Sequence, residues 1–392
     1  MSNNQELSNN QNYEYITSQS ELESKVALWE TQDTIFLDTE FIRTQTFYPI
    51  LALIQIKAAG ITYVIDPKAI EDLSCLKPLL TNPKILKVLH ALSEDVEVFS
   101  SALGIFVEPV LDTQLAAKWL NIGEGIGYAK LIEHGLQVVL AKDQTQSDWL
   151  QRPLTPSQKQ YAADDVIYLE QIYKQLQAAL IEKDRFDVVL EDSARLASNM
   201  KGKPHDQYYL KVKRAWKLQP KNQFILKQLC IWREQIARED NVPRTRVFND
   251  IALAQIAERL PQSKSQVSSL VDVHPKQIRK YAQLVADCIN EQIVYLDDPT
   301  STMVSKLQDL TLIEVPLSVK SQANVKKLKQ QINLTAQALD VYPDCVCNKK
   351  QLEGFYRKYV LEKPSFIYDE SYFSGYRQRF LQPVLLEFLN HE

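Results

Sequence analysis

Three short apolar runs near the N-terminus constrain the fold more than any other feature of the chain. They cover residues 34–38, 50–56 and 61–66, and the sequence KAAG at 57–60 separates the last two. Apolar runs of this length with a glycine-containing turn between them are typical of β-strands, the last two joined as a hairpin. The sequence therefore predicts a three-stranded meander at the start of the fold.

Helix and strand signals alternate after this meander. Helical patterns and short buried strands follow one another at residues 72–80, 85–89, 93–103, 110–111 and 113–120. A long helix is predicted from Thr155-Pro156 to about residue 179, because proline is favoured in the first turn of a helix. A meander followed by alternating elements predicts a mixed sheet flanked by helices, which is an α/β fold.

Charge is distributed unevenly along the 392 residues. The formal net charge is −4, but residues 1–200 carry −12, residues 201–246 carry +8, and the remainder is balanced. Strand signals fade beyond residue 201, and amphipathic helices predominate. A basic helical segment of this kind attracts a polyanion even though the total charge is acidic.

Composition and linkers suggest how the chain is divided. The hydrophobic fraction of 45% and the charged fraction of 24% are ordinary for a globular protein, and no stretch approaches the roughly 18 apolar residues of a membrane span. Residues 1–14 are polar and are expected to form a disordered tail without a secretory signal. The predicted domains cover residues 15–207, 208–293 and 294–392. The five scattered cysteines favour a cytoplasmic location.

The first candidate for chemistry is the sequence LDTE at residues 37–40. Successive side chains of a strand point to opposite faces, so Asp38 and Glu40 are expected to point the same way. The strand itself contains no Lys or Arg, and a divalent cation is therefore a natural partner for the two carboxylates. The alternative is a solvated strand end that happens to carry two acids.

The second candidate is at the start of the helix predicted over residues 93–103, where Ser93 is a possible N-cap. Asp95 is expected at the rim of the buried helix face. Glu94 and Glu97 remain alternatives on periodicity alone. Acids in a first helical turn also interact favourably with the helix dipole, without any further function.

The third candidate is the sequence YAADD on the long predicted helix. Asp165 shares an apolar stripe with Leu169 and Ile172, whereas Asp164 leads to a more polar face. An ionised carboxylate on an apolar stripe is costly unless it is paired or bound to a metal. Asp165 is therefore preferred over Asp164, and Tyr161 lies one helical turn before it.

The order and spacing of these three groups resemble those of the DEDD-type 3′–5′ exonucleases of the ribonuclease H-like fold, in their tyrosine subclass. Flanking sequences narrow the resemblance to bacterial ribonuclease D over about residues 15–205. They are DTEFIRT at 38–44, FYP at 47–49, LIQI at 53–56, HALSED at 90–95 and WLQRPL at 149–154.

This resemblance implies hydrolysis of RNA from its 3′ end, with two Mg²⁺ or Mn²⁺ ions held by Asp38, Glu40, Asp95 and Asp165. It also implies that Asp38 contacts both ions and that Tyr161 orients the attacking water. The implied partners are RNAs with a single-stranded 3′ end, tRNA precursors among them, so a monomeric enzyme of tRNA 3′ maturation is expected. A 3′–5′ DNA exonuclease, or a non-catalytic RNA-binding module with a vestigial acidic site, remains an alternative.

The helical part resembles the HRDC domain that RecQ-type helicases share with ribonuclease D, on the turn sequence AREDNVP at 237–243. The implied fold is an exonuclease domain followed by two small all-α, HRDC-like domains. Candidate RNA contacts are Tyr48, Arg152, Arg214, Arg244 and Arg246. Helix packing is the alternative for the first two, and a solvated basic face is the alternative for the last three.

Other conspicuous residues are assigned structural roles. A lone histidine at a strand end, His90, is expected to be structural rather than a ligand. The sequence GEGIG at 123–127 lacks the setting of a phosphate-binding loop and is interpreted as a flexible turn before a helix. Asp66 and Asp112 end strands, and we expect them to serve turn and N-cap roles.

Overall fold

The computed structural model describes residues 12–140, 147–202, 204–300, 302–362 and 377–391. Contacts divide the described chain into two compact units. Unit 1 contains the residues before 43, residues 51–201 and the residues from 317 onward, and unit 2 contains residues 43–50 and 202–316. Among the described helices, none is both long and apolar enough to cross a membrane.

Unit 1 is built on a mixed sheet, as the sequence predicts. Its strands are β1 (Glu14–Ile16), β2 (Thr34–Ile42), β3 (Ile50–Ala58), β4 (Ile61–Ile65), β5 (Leu86–Leu89) and β6 (Val110–Asp112). They lie in the order β1-β4-β3-β2-β5-β6. The pairs β1–β4, β2–β5 and β5–β6 are parallel, and the pair β3–β4 is antiparallel.

The hairpin between β3 and β4 is tighter than predicted. Strand β3 continues through Ala58, which pairs with Ile61, so that Ala59 and Gly60 alone form the turn. Their φ angles are 52° and 77°. Two consecutive positive φ angles are those of the type I′ turn that joins closely paired strands, and glycine adopts such an angle without steric cost.

The helices of unit 1 lie before, between and after these strands in the sequence. They are α1 (Gln19–Trp29), α2 (Leu76–Thr81), α3 (Ser93–Leu103), α4 (Thr113–Trp119), α5 (Tyr128–Leu136), α6 (Pro156–Glu182) and α7 (Phe186–Asn199). The long helix α6 begins where predicted, because Thr155 and Gln158 form a capping box around Pro156.

Two predicted helix starts differ from the structure. Helix α2 does not begin at Asp72, because the Asp72 carboxylate accepts hydrogen bonds from the N–H and hydroxyl of Ser74 and holds a turn there. Ser93 is not the N-cap of α3, because the helix already begins at Ser93. The backbone just before α3 is held by Asp112, whose carboxylate accepts hydrogen bonds from the N–H groups of Ala91 and Leu92.

Unit 2 is helical around one buried core. Its helices are α8 (Pro220–Glu239), α9 (Arg244–Val247), α10 (Asp250–Arg259), α11 (Lys264–Leu270), α12 (Pro275–Asp297) and α13 (Met303–Lys306), preceded by 3₁₀ turns at His205–Lys211 and Ala215–Lys217. The core includes Phe47 from the segment between β2 and β3, packed with residues such as Leu226 and Val285.

The C-terminal helices belong to unit 1. They are α14 (Val319–Ala338), α15 (Pro343–Val346), α16 (Lys349–Phe355), which continues as a π-helical turn at Tyr356–Leu361, and α17 (Gln378–His391). Leu328, Ile332 and Phe355 share a buried cluster with Leu169 and Ile172 of α6. An apolar stripe indicates that a helix face is buried, but it does not indicate against which partner.

The predicted boundaries therefore differ from the contacts at both ends. A boundary between residues 293 and 294 would fall inside α12, which ends at Asp297, and the later helices join unit 1 rather than form a separate compact unit. The tail predicted for residues 1–14 is too long, because Tyr13 is buried and Glu14 begins β1. Residues 1–11 lie outside the described residues.

The helices that begin at 220 and at 319 follow the same plan at a constant spacing of 99 residues. Each long helix is followed by a residue with positive φ, at Asn241 (49°) and Asp340 (51°). A one-turn helix then leads to an asparagine, Asn249 or Asn348, whose side chain caps the next helix. This common plan is consistent with a duplication, although no exact repeat is visible in the sequence.

Candidate active site

Strand β2 and helix α6 bring three acids together. Asp38, Glu40 and Asp165 each offer a carboxylate oxygen, and these three oxygens lie within 4.8 Å of one another. Strand alternation gives the first two acids a common face, and α6 packs against β2 and presents the third. Oxygen ligands at such mutual distances suit a hard divalent cation.

Asp95, in the first turn of α3, is attached to the same strand. Its Oδ1 atom accepts hydrogen bonds from the backbone N–H of Thr39 at 3.1 Å and from the Thr39 hydroxyl at 2.5 Å. Asp95 is buried, whereas Glu94 is exposed. Periodicity alone did not decide between Glu94, Asp95 and Glu97. Asp95 is bonded to Thr39, the residue between Asp38 and Glu40, and is therefore the acid that joins the site. We call Asp38, Glu40, Asp95 and Asp165 the acidic cluster.

Burial and mutual repulsion make the acidic cluster hold protons. Burial, followed by the charges of the other three acids, raises the pKa of Asp38 well above its usual range. Burial and neighbouring acids raise the pKa of Glu40 to about 9 and that of Asp165 to about 8. Burial raises the pKa of Asp95 to about 7, although its hydrogen bonds from Thr39 favour the charged form. A divalent cation would replace these protons.

A cavity of about 700 Å³ adjoins the acidic cluster. Tyr161 and Asp165 line it from α6, and residues 122–130 with Leu140 form another wall. The Tyr161 ring lies 6.0 Å from the Trp149 ring. The volume is within the range of about 300–1,000 Å³ for ligand clefts. Tyr161 thus lines the same cavity as a cluster acid.

The two consecutive acids of α6 differ in their surroundings. The Asp164 carboxylate accepts a hydrogen bond from Gln160 at 2.8 Å, and the Asp164 carbonyl accepts one from the Tyr128 hydroxyl at 3.0 Å. Asp165 instead faces the acidic cluster. Of these two acids, Asp165 is therefore the one that the structure brings close to Asp38 and Glu40.

Arg152 does not have the surroundings predicted for an RNA contact. Its guanidinium donates two hydrogen bonds to the Asp66 carboxylate, at 2.5 and 2.7 Å, and others to the carbonyls of Ala52 and Trp149. Asp66 also accepts the N–H of Lys68, so its predicted turn role is combined with an ion pair. Because its donors are engaged within the protein, Arg152 holds the fold of unit 1 and does not line the cavity.

Arg244 in unit 2 is also engaged. It forms a bidentate ion pair with Glu234, whose side chain is 1% exposed, and its guanidinium lies 4.7 Å from the centre of the Phe47 ring. The Asn241 side chain accepts the N–H groups of Phe47 and Tyr48. The Tyr48 ring remains exposed. The predicted role of Arg244 as a phosphate contact is therefore not supported.

Arg246 and Arg214 have the exposure expected of RNA contacts. Arg246 donates to the Gln45 side chain at 2.9 Å and lines a cavity of about 350 Å³ together with His274, Lys276 and Lys280. Arg214 is exposed on the turn before Ala215, with a φ of 65°.

Sequence reasoning missed the residues that support the site. Thr39 orients Asp95 by hydrogen bonds. Its position between the predicted acids Asp38 and Glu40 was the only sequence feature that pointed to a role in the site. The glycine-containing segment 123–127 leads into α5 at Tyr128, as the sequence predicts, and it also forms a wall of the cavity. Its position immediately before α5 gave no indication that it would face α6, because that contact depends on the packing of α5 against α6.

Comparison with known proteins supports this assignment. Residues 13–181 match the model of a 3′–5′ exonuclease family, and residues 223–289 match that of the HRDC domain. Over 378 residues the chain is 35% identical to ribonuclease D of Pseudomonas paraeruginosa. The aligned region covers 96% of this chain and 97% of that relative. The chain is 30% identical to ribonuclease D of Cronobacter turicensis, over 96% of this chain and 100% of the relative.

A solved structure has the same fold over nearly the whole chain. The crystal structure of Escherichia coli RNase D, described as an exoribonuclease involved in structured RNA processing, matches with a TM-score of 0.85 and 28% sequence identity. The match covers 97% of this chain and 99% of that one. The α/β exonuclease fold and the first HRDC domain predicted from the sequence are thereby confirmed.

Proposed function

The chain belongs to the ribonuclease D family and is a metal-dependent 3′–5′ exoribonuclease, and we propose that it removes nucleotides from RNA 3′ ends with two divalent ions bound by the acidic cluster. The observation that carries this proposal is the approach of three carboxylate oxygens to within 4.8 Å of one another. The adjoining cavity, lined by Tyr161 and Asp165, gives a 3′ end access to them.

The donor set fits Mg²⁺ or Mn²⁺. All four side chains offer oxygen, which hard cations prefer, and repulsion among the acids favours a bound positive charge. When bound, two such ions activate water and neutralise the charge that develops on the phosphate. The resemblance to this family supports the proposal that Asp38, which faces the charge of each of the other three acids, would help to hold both ions.

Tyr161 has a separate role in this proposal. It lies one turn before Asp165 on α6 and lines the cavity, which supports a role for its hydroxyl in orienting the attacking water by a hydrogen bond. The Tyr161→Phe variant is therefore expected to lose turnover while it retains metal affinity. Calorimetric titration of both proteins with Mn²⁺, alongside the nuclease assay, separates the two effects.

The substrate we propose is RNA with a single-stranded 3′ end, including tRNA precursors. The basic cavity of unit 2, with Arg246, Lys276 and Lys280, supports contact with a phosphate backbone rather than with particular bases. We further propose a monomeric, cytoplasmic enzyme, for which the free thiols of Cys75, Cys230, Cys288, Cys345 and Cys347 are suited.

We infer two HRDC-like helical modules, the first ending with α12 at Asp297 and the second beginning with α14 at Val319. The common plan of the helices that begin at 220 and 319 supports this inference. Both modules retain the positive-φ residue after the long helix and the asparagine cap of the next.

The proposal is tested with matched RNA and DNA oligonucleotides labelled at the 5′ end, in Mg²⁺ or in EDTA. We expect stepwise release of mononucleotides from RNA in Mg²⁺, none in EDTA, and none with Asp38→Asn. Faster degradation of DNA would favour the alternative of a DNA exonuclease. Binding of RNA without any cleavage would favour a non-catalytic module.

A further inference from the structure

We propose that His90 is a positioning residue, which fixes the carbonyl of Ile126 and thereby the wall formed by residues 122–130. This inference rests on the proposed function, because it assumes that the cavity behind this wall receives the 3′-terminal nucleotide of an RNA. His90 then acts on the shape of the cavity, and neither binds the metal nor transfers a proton.

The hydrogen bonds of His90 define its tautomer. Its Nε2 atom lies 3.1 Å from the carbonyl oxygen of Ile126, and its Nδ1 atom lies 3.0 Å from the Thr113 hydroxyl. A carbonyl can only accept, so Nε2 carries the hydrogen, and the one hydrogen of the Thr113 hydroxyl is shared between Nδ1 and the Leu89 carbonyl, which lies 3.1 Å from that hydroxyl. The Gln114 amide donates to the same Ile126 carbonyl at 3.0 Å. Two donors from separate residues therefore hold one point of the wall.

The imidazole is uncharged in this arrangement. Burial lowers the pKa of His90 to about 4. The ring therefore stays uncharged, and keeps these hydrogen bonds, at pH values well above 4. A neutral ring with both nitrogen atoms engaged is available neither as a cation for the acids nor as a metal ligand.

The wall is closely packed at Ile126. A Cβ atom at Gly123 would lie 2.7 Å from the Cβ atom of Ile126, so the close approach requires glycine. The His90 ring also packs edge-on against the Tyr128 ring at 5.5 Å, and the Tyr128 hydroxyl donates to the Asp164 carbonyl. His90 is therefore connected both to the wall and to the part of α6 that carries Asp165.

The lining of the cavity suits a nucleotide. Ile122, Ile126 and Leu140 offer apolar surface to a base or sugar, and Lys130 offers a positive charge to a phosphate. A displaced wall would weaken the binding of the strand more than it would alter the acids, which are held by β2, α3 and α6.

The test compares His90→Leu, His90→Gln and Gln114→Leu in steady-state cleavage of a single-stranded RNA oligonucleotide. We expect His90→Leu to raise KM roughly tenfold, as expected for a lost hydrogen bond, with kcat changed less than about twofold. His90→Gln keeps a donor and should recover most of the loss. Gln114→Leu should raise KM, and the double variant with His90→Leu should raise it by less than the product, because both act on one carbonyl.

His134→Gln is the matched control, because His134 is an exposed histidine on α5 outside the cavity. It should match the wild type in KM. Mn²⁺ affinity, measured by calorimetry, should be the same in all variants. Unchanged KM in both His90→Leu and Gln114→Leu, or loss of Mn²⁺ affinity in His90→Leu, would overturn the inference, as would equal impairment of His90→Gln and His90→Leu.

Two further measurements cover the cases in which His90→Leu does not fold or the wild type does not cleave RNA. If His90→Leu fails to fold, a higher KM in Gln114→Leu supports the inference and an unchanged KM contradicts it. If the wild type does not cleave RNA, the proposed function fails, and the wall is tested by RNA binding in EDTA. Weaker binding by Gln114→Leu than by wild type then supports the role of the wall, and equal binding contradicts it.

Discussion

Unit 1 contains two kinds of buried or half-buried acid. Asp192 is held by a bidentate ion pair with Arg377, and Asp66 is held by Arg152. Among the described residues, no such ion pair holds a member of the acidic cluster. Burial would raise the pKa of Asp66, but hydrogen bonds from Arg152 and Tyr15 keep it below its usual range.

In the acidic cluster the pKa values rise instead, because burial and like charges act together. The comparison shows that an acid paired with an arginine side chain of the same fold has a structural role. Acids that converge without such an arginine form a site for a bound metal cation.

The largest expected effect is on catalysis. Asp165→Asn removes a cluster charge and should lower the rate of RNA cleavage by about a thousandfold or more, as with loss of other central catalytic groups. Asp164→Asn is the matched control. The Asp164 side chain is next to Asp165 in the sequence, but it accepts a hydrogen bond from Gln160 and does not face the cluster. The rate of this variant should stay within severalfold of the wild type in the same assay. Equal losses in the two variants would break the distinction between these acids.

A large effect on stability is expected for the paired acids. Asp192→Asn leaves Arg377 buried without its charge partner, and such a change costs about 3–5 kcal/mol of unfolding free energy. Mn²⁺ affinity of the folded variant should be unchanged. Asp187→Asn, an exposed position on α7, should alter stability by less than about 0.5 kcal/mol. Chemical denaturation measures both, and a small loss in Asp192→Asn would contradict a structural role.

The pH dependence of stability should separate the two kinds of acid further. The folded-state pKa values of Asp95, Asp165 and Glu40 are raised to about 7, 8 and 9, whereas those in the unfolded chain are about 4. Their contribution to stability is therefore present below pH 4 and is lost as pH rises toward 9. In EDTA the melting temperature should fall across this range, and Mg²⁺ should offset the fall increasingly with pH. A flat curve in EDTA would contradict the raised pKa values.

The smallest expected effect concerns the cations of unit 2, to which the same comparison applies. Arg246 has no described carboxylate partner, whereas Arg244 is paired with Glu234. Arg246→Ala should weaken RNA binding a few-fold. It should also reduce the magnitude of the slope of log K against the logarithm of the salt concentration by about one. Arg244→Ala should mainly lower the melting temperature, because it leaves Glu234 with less compensation. Salt-dependent RNA binding and thermal melting of both variants test this difference.

Three acids of the site, Asp38, Glu40 and Asp165, could be predicted because their placement depends on local periodicity. Strand alternation places Asp38 with Glu40, and the apolar stripe of α6 selects Asp165 over Asp164. The role of Arg152 could not be predicted, because its partner Asp66 is far away in the sequence. The choice of Asp95 over its neighbours likewise depends on a contact with Thr39 on another element.

The helical modules show the same limit. Their turns share backbone geometry, but Asn241 binds the N–H groups of Phe47 and Tyr48, whereas Asp340 accepts the Asn121 side chain. Helix periodicity predicted the helices of both modules. It did not predict which surface each turn contacts, because partner choice depends on side chains from distant parts of the chain.

The central claim is that the acidic cluster is a site for divalent cations, and Mn²⁺ titration by calorimetry at pH 8 tests it most directly. We expect the wild type to bind two ions, Asp164→Asn to bind them with unchanged affinity, and Asp165→Asn to lose at least one. Equal binding by Asp165→Asn and the wild type, or no binding by the wild type, would contradict the claim.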